Sequence, residues 1–291
     1  MPSEANDATT LSPKTEIAST LIRKAPPGQI KEVYYDVRSL LKNDESLKKV
    51  AADAFAYHNK KHFFPVAIEG VEKPAHVTPY NEIEASRFYH PRNRMSFRFD
   101  HMQFESTDWS PYSDANIDQL EPKRSALEAV IDAYVEAHFK QGSADVYALR
   151  STDGKEEFVI CIVNNRYQPK NFWNGHWKSR WTVRIESGHQ AKIVGKIKVI
   201  VHYFEDGNVQ LVNSKPIERT LSFTNDVNLW QTVAKIIGEE ESNCQKAIGD
   251  SCHRLGDSIF RGLRRQLPVT RSKIDWPKLI NYKVGTELKP Q

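Results

Sequence analysis

F-W-N-G-H-W-K-S-R-W-T-V-R-I, residues Phe172 to Ile185, is the stretch whose reading decides the fold. Trp173, Trp177 and Trp181 stand four apart, a spacing that also fits one face of an α-helix. Asn174-Gly175 falls inside that spacing and argues for a turn between strands instead. In a β region the indoles become core or interface anchors. Core is the expectation, because large aromatic rings bury more often than they bind. Working outward, Val146 to Arg150 and Glu157 to Val163 flank T-D-G-K, and Ile193 to Phe204 and Val209 to Asn213 flank E-D-G-N. Both are hairpin signals, and around five antiparallel strands fit this region.

Upstream, a helix from Pro122 carries Leu127, Val130, Ile131, Tyr134, Val135 and His138 at helical spacing, and Gly142 stops it. Glu105 to Glu121, acidic and bearing Ser, Asp and Pro, is expected as a surface loop. From Phe63 to about Phe104 short alternating runs suggest strands and loops, with Phe97 and Phe99 on one face. Three helices precede them. The first starts at Pro13 behind an Ser12 cap, carries Ile17, Leu21 and Ile22, and is broken by A-P-P-G at 25–28. The second presents Ile30, Val33, Tyr34, Val37, Leu40 and Leu41 on one face. The third, capped by Asp44 or Ser46, turns Leu47, Val50, Ala54, Phe55 and His58 inward. Residues 1–12 are polar and expected to be disordered.

Downstream, a long helical pattern runs from about Asn225 to Gln266, with Leu229, Val233, Ile236, Ile237 and Cys244 on its apolar stripe. Gly238 to Glu241 is expected as an acidic helix surface. Pro268 ends or kinks the helix, and a semi-detached arm follows. Phe260 to Val284 carries Arg261, Arg264, Arg265, Arg271, Lys273, Lys278 and Lys283 against one acid, Asp275. Its net charge is +6 in a chain of +4, so the basic character is local and points to a site rather than to a generally basic protein, with an ordinary basic helix solvated on one side as the equal alternative. Leu279, Ile280 and Val284 interleave as apolar anchors. The expected division is a disordered start (1–12), a helical layer (13–62), short strands and loops (63–121), a helix–sheet–helix core (122–259) and the arm (260–291).

The 291 residues, 27% charged and 39% apolar, suit a soluble globular chain. The longest apolar run, Phe158 to Val163, is too short to span a bilayer. Three cysteines, no N-x-[ST] sequon and a start unlike a secretory signal favour a reducing, cytoplasmic setting. His58 and His62 have the i, i+4 spacing of a helical metal pair, but Asn59 stands where H-E-x-x-H has its base, and no third ligand is marked. Cys244, Cys252 and His253 match no common zinc spacing. Phosphate-loop, dinucleotide and nucleophile-elbow motifs are absent. No catalysis, metal or cofactor is expected.

P-K-N-F-W-N-G-H-W-K-S-R-W (169–181), V-H-Y-F-E-D-G-N-V-Q-L (201–211) and R-R-Q-L-P-V-T-R-S-K-I-D-W (264–276) closely resemble the α-subunit family of heterodimeric F-actin capping proteins. A-P-P-G with D-V-R-S-L-L (36–41), and H-P-R-N (90–93) with S-F-R-F-D-H (96–101), look like the same family. Three places depart from its pattern: the first 14 residues with the 105–121 loop, His176 where a basic residue is usual, and Pro277 after Trp276.

The resemblance implies an α+β fold: three N-terminal helices, short strands, and a five-stranded antiparallel sheet covered by a long helix. A C-terminal basic amphipathic arm follows. Such a chain is half of a heterodimer with a β subunit. It implies calcium-independent binding to the barbed end of F-actin that blocks subunit addition and loss without severing, in the cytoplasmic actin cytoskeleton. The family's actin-binding basic positions fall on Arg261, Arg265 and Arg271. Lys273, Leu279 and Ile280 complete the expected actin-binding set. Phosphoinositides, capping-protein-binding regulatory peptides and dynactin are further implied partners. Without the resemblance, the basic arm and tryptophans also suit a nucleic-acid-binding module, and the arm alone weakly suits a peripheral membrane protein. Against nucleic acid, the basic residues occupy one short arm while the rest of the chain is net negative.

Overall fold

Ser12 opens the described chain: its Oγ accepts from the Thr15 amide at 3.3 Å and starts α1 (Pro13–Arg23). The structure is a computed structural model that describes residues 12–257, apart from 69, 72, 152, 188, 206 and 207. α2 (Ile30–Leu41) and α3 (Asp44–His62) complete an antiparallel layer around Ala18, Ile22, Val37, Leu47, Ala54 and Phe55. Two expectations shift here. Thr15, Ala18 and Ile22 form the stripe that packs inward, so Ile17 and Leu21 stay 61% and 47% exposed. α3 is capped by Asn43, whose Oδ1 accepts from the Ser46 amide at 3.0 Å, rather than by Asp44 or Ser46. The break between α1 and α2 needs a glycine: Gly28 has φ +81°, and a Cβ there would lie 3.0 Å from the Tyr167 ring.

β1 (Phe64–Val66) pairs with β2 (Ala75–Val77). β3 (Glu82–Glu84), β4 (Arg87–His90), β5 (Met95–Asp100) and β6 (Glu105–Pro111) form a four-stranded antiparallel sheet. β6 corrects the expected 105–121 loop. Trp109 stacks on Phe97 with centroids 4.4 Å apart, and Arg87 pairs with Asp108 at 2.5 Å. Those two contacts hold an acidic stretch in the sheet. A short helix, α4 (Ala115–Asp118), follows.

α5 (Glu121–His138) leads into an antiparallel meander of β7 (Gly142–Arg150), β8 (Glu156–Gln168), β9 (Trp173–Glu186), β10 (Gln190–Tyr203) and β11 (Val209–Ser222). α6 (Asp226–Asp257) lies over it. Asn174-Gly175 is not a turn. It sits inside β9, paired with Tyr167 and Arg166 on one side and His202 and Val201 on the other. Pro169–Asn171 makes the reversal instead as a single 3₁₀ turn, with Phe172 at φ +58°.

Alternation along the strands divides the side chains between two faces. Phe158, Ile160, Ile162, Trp181, Val183, Ile193 and Ile197 meet Leu127, Ile131 and Val135 of α5 and Leu229, Trp230, Val233 and Ile237 of α6. Val159, Cys161 and Val163 meet Phe63 and Tyr80 from the N-terminal part. β8 is covered on both faces, so its run from Phe158 to Val163 is apolar without alternation.

Arg92 joins these layers. Its guanidinium donates to Asp132 at 2.6 and 2.9 Å and to the Ala144 carbonyl at 2.9 Å, with Glu128 at 3.4 Å. Arg124, 2% exposed, bridges Glu121 and Glu128 at 2.7 Å each. Asp145, fully buried, accepts from the His76 amide at 2.8 Å and from Tyr147 at 3.2 Å. Paired and hydrogen-bonded in this way, the charges can be buried.

Trp181 is fully buried, and a Cβ at Gly195 would overlap its ring. Trp181→Ala is expected to lower unfolding stability by ~3–5 kcal/mol, and Gly195→Val to lower the melting temperature as well, both measured by thermal and urea unfolding. A variant with Trp181 removed and stability unchanged would show that the ring is not part of the core.

Candidate functional site

The expected actin-binding residues Arg261, Arg265, Arg271, Lys273, Leu279 and Ile280 lie outside the described residues, as do residues 1–11. The described chain gives the platform that carries them, α6. Two adjacent glutamates fix that helix to the sheet. Glu240 accepts from Lys215 of β11 at 2.8 Å and from Arg219 of β11 at 2.5 Å. Glu241 accepts from Tyr134 of α5 at 2.8 Å, and from Ser179 at 2.5 Å and Trp181 at 3.3 Å on β9. Burial pushes the Glu241 carboxyl up, and the three donors pull against that shift. Hydrogen bonding from Lys215 holds Glu240 below the usual carboxylate range. This corrects the expected acidic surface at Gly238 to Glu241, since Glu240 and Glu241 are 8% and 1% exposed.

Among the described residues β11 is an edge strand, paired only with β10. It begins V-Q-L-V, and Val209, Leu211 and Val212 are 47%, 38% and 51% exposed. An open edge with apolar side chains invites a further strand. Pro216 interrupts the same strand. It has no N–H to give, and the β10 ladder runs past it without a register shift, so its nitrogen faces the outer side. The same parity turns the Val212 N–H outward.

The histidine pair of α3 joins a different structure from the metal pair considered above. The His58 and His62 rings lie with centroids 4.4 Å apart. His62 Nδ1 stands 3.2 Å from His176 Nε2, and His176 Nδ1 lies 2.6 Å from Asn165 Oδ1. If His176 donates from Nδ1 to Asn165, its Nε2 accepts and His62 Nδ1 donates. The two rings thus hydrogen-bond one another, and among the described residues no three His, Cys, Asp or Glu side chains gather as a metal set. Cys244 is buried, as expected for a small apolar side chain; the side chains of Cys252 and His253 lie outside the described part. Trp177 packs at the border of the α6-side core beside Phe139, and Trp173 lies under Arg166, 5.8 Å from centroid to guanidinium carbon.

Comparison with known proteins adds to this geometry. Residues 18–287 match the family described as F-actin capping protein alpha subunit. The chain belongs to that family. It is 40% identical to the F-actin-capping protein subunit alpha of Caenorhabditis elegans, over 99% of this chain and 100% of the relative. It is 32% identical to the corresponding subunit of Neurospora crassa, over 94% and 96%. A solved homodimeric actin capping protein alpha subunit from Plasmodium berghei shares the fold, with a TM-score of 0.72 at 20% identity over 89% of this chain and 98% of that one.

Seen as a member of this family, the chain carries three residues that sequence reasoning passed over: Glu240, Glu241 and Arg92. Glu240 and Glu241 stand in a run of three acids, Glu239 to Glu241, which reads as a solvated face. Arg92 stood in the quoted H-P-R-N motif, but nothing in the motif says which acids it meets. His176, a departure from the pattern the resemblance implies, is a buried neutral ring.

Burial holds His176 down to about 3 and His58 down to about 4, with His62 also well below its ordinary value. An unfolded histidine titrates near 6.5. These rings therefore cost nothing above that pH, and stability is lost as pH falls from about 6.5 toward 4, where only the unfolded chain is protonated. His176→Gln is expected to remove about 2 kcal/mol of the stability loss between pH 7 and pH 5. Urea unfolding of both proteins at the two pH values checks this. An unchanged difference would mean that His176 is already charged in the fold.

Proposed function

We propose that this chain is the α subunit of a heterodimer that caps the barbed ends of actin filaments, blocking subunit addition and loss without calcium and without severing. The observation that carries the proposal is the family match over residues 18–287, which spans both the sheet platform and the basic arm. The names of the relatives, F-actin-capping protein subunit alpha, point to actin filaments as the target.

In the proposed mechanism the basic arm that follows α6 in sequence binds actin. Arg261, Arg265, Arg271 and Lys273 meet an acidic actin surface, while Leu279 and Ile280 anchor it by apolar contact. Concentrated positive charge speeds encounter, and an exposed ion pair contributes only ~0.2–1 kcal/mol, so several must act together. The open edge of β11 supports a β subunit that continues the sheet. Nothing in this mechanism uses a cofactor or covalent chemistry. Phosphoinositides, regulatory peptides and dynactin remain finer expectations of the same surface. No helix among the described residues is long and apolar enough to cross a bilayer.

Two experiments test the parts separately. With Arg261, Arg265 and Arg271 all changed to Glu, barbed-end affinity is expected to fall at least about a hundredfold, at ~1.5 kcal/mol or more per close interfacial pair. Seeded pyrene-actin elongation with the co-expressed β subunit reads the effect, and the melting temperature should stay nearly constant. Normal capping by this variant would remove the arm as the actin site. Val212→Pro takes away an outward donor of β11 while leaving the β10 ladder intact. It should reduce recovery of a 1:1 dimer on co-expression, measured by analytical ultracentrifugation; undiminished recovery would place the subunit contact elsewhere.

A further inference from the structure

The face of the sheet away from α6 carries three cross-strand pairs of like charge between β9 and β10. Lys192 lies opposite Arg184, Lys196 opposite Arg180, and Lys198 opposite Lys178. Like charges directly opposite destabilise an antiparallel pair. The fold neutralises the first pair: Lys192 is 2.6 Å from Glu218, and Arg184 meets Asp153 as well as Glu186 at 3.4 Å. It leaves the other two without an acid. Among the described residues Lys178, Arg180, Lys196 and Lys198 have no ion pair. Lys178 donates to the Lys61 carbonyl and lies over the Phe63 ring, 4.2 Å from its centroid. Arg180 donates from Nη1 to the Tyr80 hydroxyl at 2.9 Å, and its Nε is buried without a partner. Burial lowers the Lys178 ammonium to about 8, and Lys198, Lys61 and Arg180 act in the same direction. Lys196 is exposed and Lys198 half-buried, so the cluster reaches solvent.

We infer that this four-cation ladder is a docking surface for an acidic segment of the subunit that continues the sheet past β11. The inference rests on the heterodimer proposed above and adds a second contact to it. Its position carries the choice of partner. β10 is one strand in from the open edge, about 5 Å per strand, so a neighbour joined at β11 can pass an acidic segment beneath Lys196 and Lys198. The residues of β11 opposite them, Pro216 and Ser214, carry no charge that would compete. The shape also favours a polypeptide. The cations stand in two rows along a sheet, about 7 Å apart within a row, with side chains alone facing the ligand and no helix N-terminus or glycine loop to wrap a small phosphate.

The test is subunit exchange in the co-expressed heterodimer, followed by energy transfer between labelled subunits, at low and high salt. Wild-type exchange should accelerate with salt. Lys196→Glu with Lys198→Glu should exchange at least ten times faster at low salt and lose most of the salt response, while Lys192→Gln stays within twofold of wild type. The alternative role gives the opposite sign. If the ladder is only an uncompensated flaw of this sheet, the double Glu variant places acids opposite Lys178 and Arg180, and exchange becomes slower or stays the same. Either result overturns the inference. Binding of inorganic polyphosphate to the wild-type dimer, abolished in the double variant with exchange unchanged, would also overturn it in favour of a free polyanion. Val212→Pro separates this contact from the edge contact. Loss of the dimer in Val212→Pro with unaltered exchange in the double Glu variant keeps the heterodimer and sinks the ladder. The reverse pattern sinks the edge contact and the inference with it, because the partner's placement rests on that edge.

Discussion

Where the sheet, α5 and α6 meet, one carboxylate accepts three hydrogen bonds, and the arrangement of the C-terminal half depends on it. Glu241 is almost completely enclosed. Removing a carboxylate from water is costly, and the cost is offset here by donors from two other elements: Tyr134 on α5, and Ser179 and Trp181 on β9. A sliding or rotated α6 would strand that charge. Apolar contacts alone would tolerate a shift by a turn, because Leu229, Val233 and Ile237 recur at near-helical spacing. The polar contact removes that freedom. Glu240, the next residue, repeats the logic toward β11 through Lys215 and Arg219. Together they set the direction in which the chain leaves the sheet.

The sheet itself is asymmetric. Its α6 side is an apolar core into which the buried acids Glu240 and Glu241 are set, while its other side is apolar under β7 and β8 and turns basic toward β10. Next to the basic pairs along β9, the histidine rings connect α3 to the sheet. The N-terminal part is thus joined to the sheet by apolar packing at Phe63 and Tyr80, by the histidine rings and by Lys178 and Arg180, and the region nearest the open edge is left to cations. This is the distribution expected of a subunit whose outer strands lie against a neighbour.

How much of this was legible in the sequence depended on whether the signal was local. The helices and both glycine-containing hairpins follow from spacing that any short window shows. The α+β order therefore held. Asn174-Gly175 misled because the same dipeptide fits a strand when Pro169 supplies a turn five residues earlier. β6 was hidden because its Asp108 is paired by Arg87 and its one large ring stacks on Phe97, contacts made across a chain reversal. Glu240 and Glu241 were hidden for the same reason: their donors come from residues twenty or more positions away. The candidate actin-binding residues are the reverse case. Their charge pattern is plain in the sequence, but their geometry lies beyond the described residues.

The meander has a further consequence for how the protein is made. Each of the five strands pairs with its neighbour in sequence, so the sheet can assemble strand by strand as it emerges from the ribosome. α6 comes last. When β11 leaves the tunnel, Phe158, Trp181, Ile193 and Ile197 already form an apolar face, yet the helix that covers them is still unfinished. Trp181 in particular waits for Glu241, nineteen residues after the end of β11. During that interval the nascent chain exposes a large greasy surface beside an open strand edge, the combination most prone to aggregate. Synthesis of this subunit is therefore most exposed to aggregation until α6 closes over the sheet.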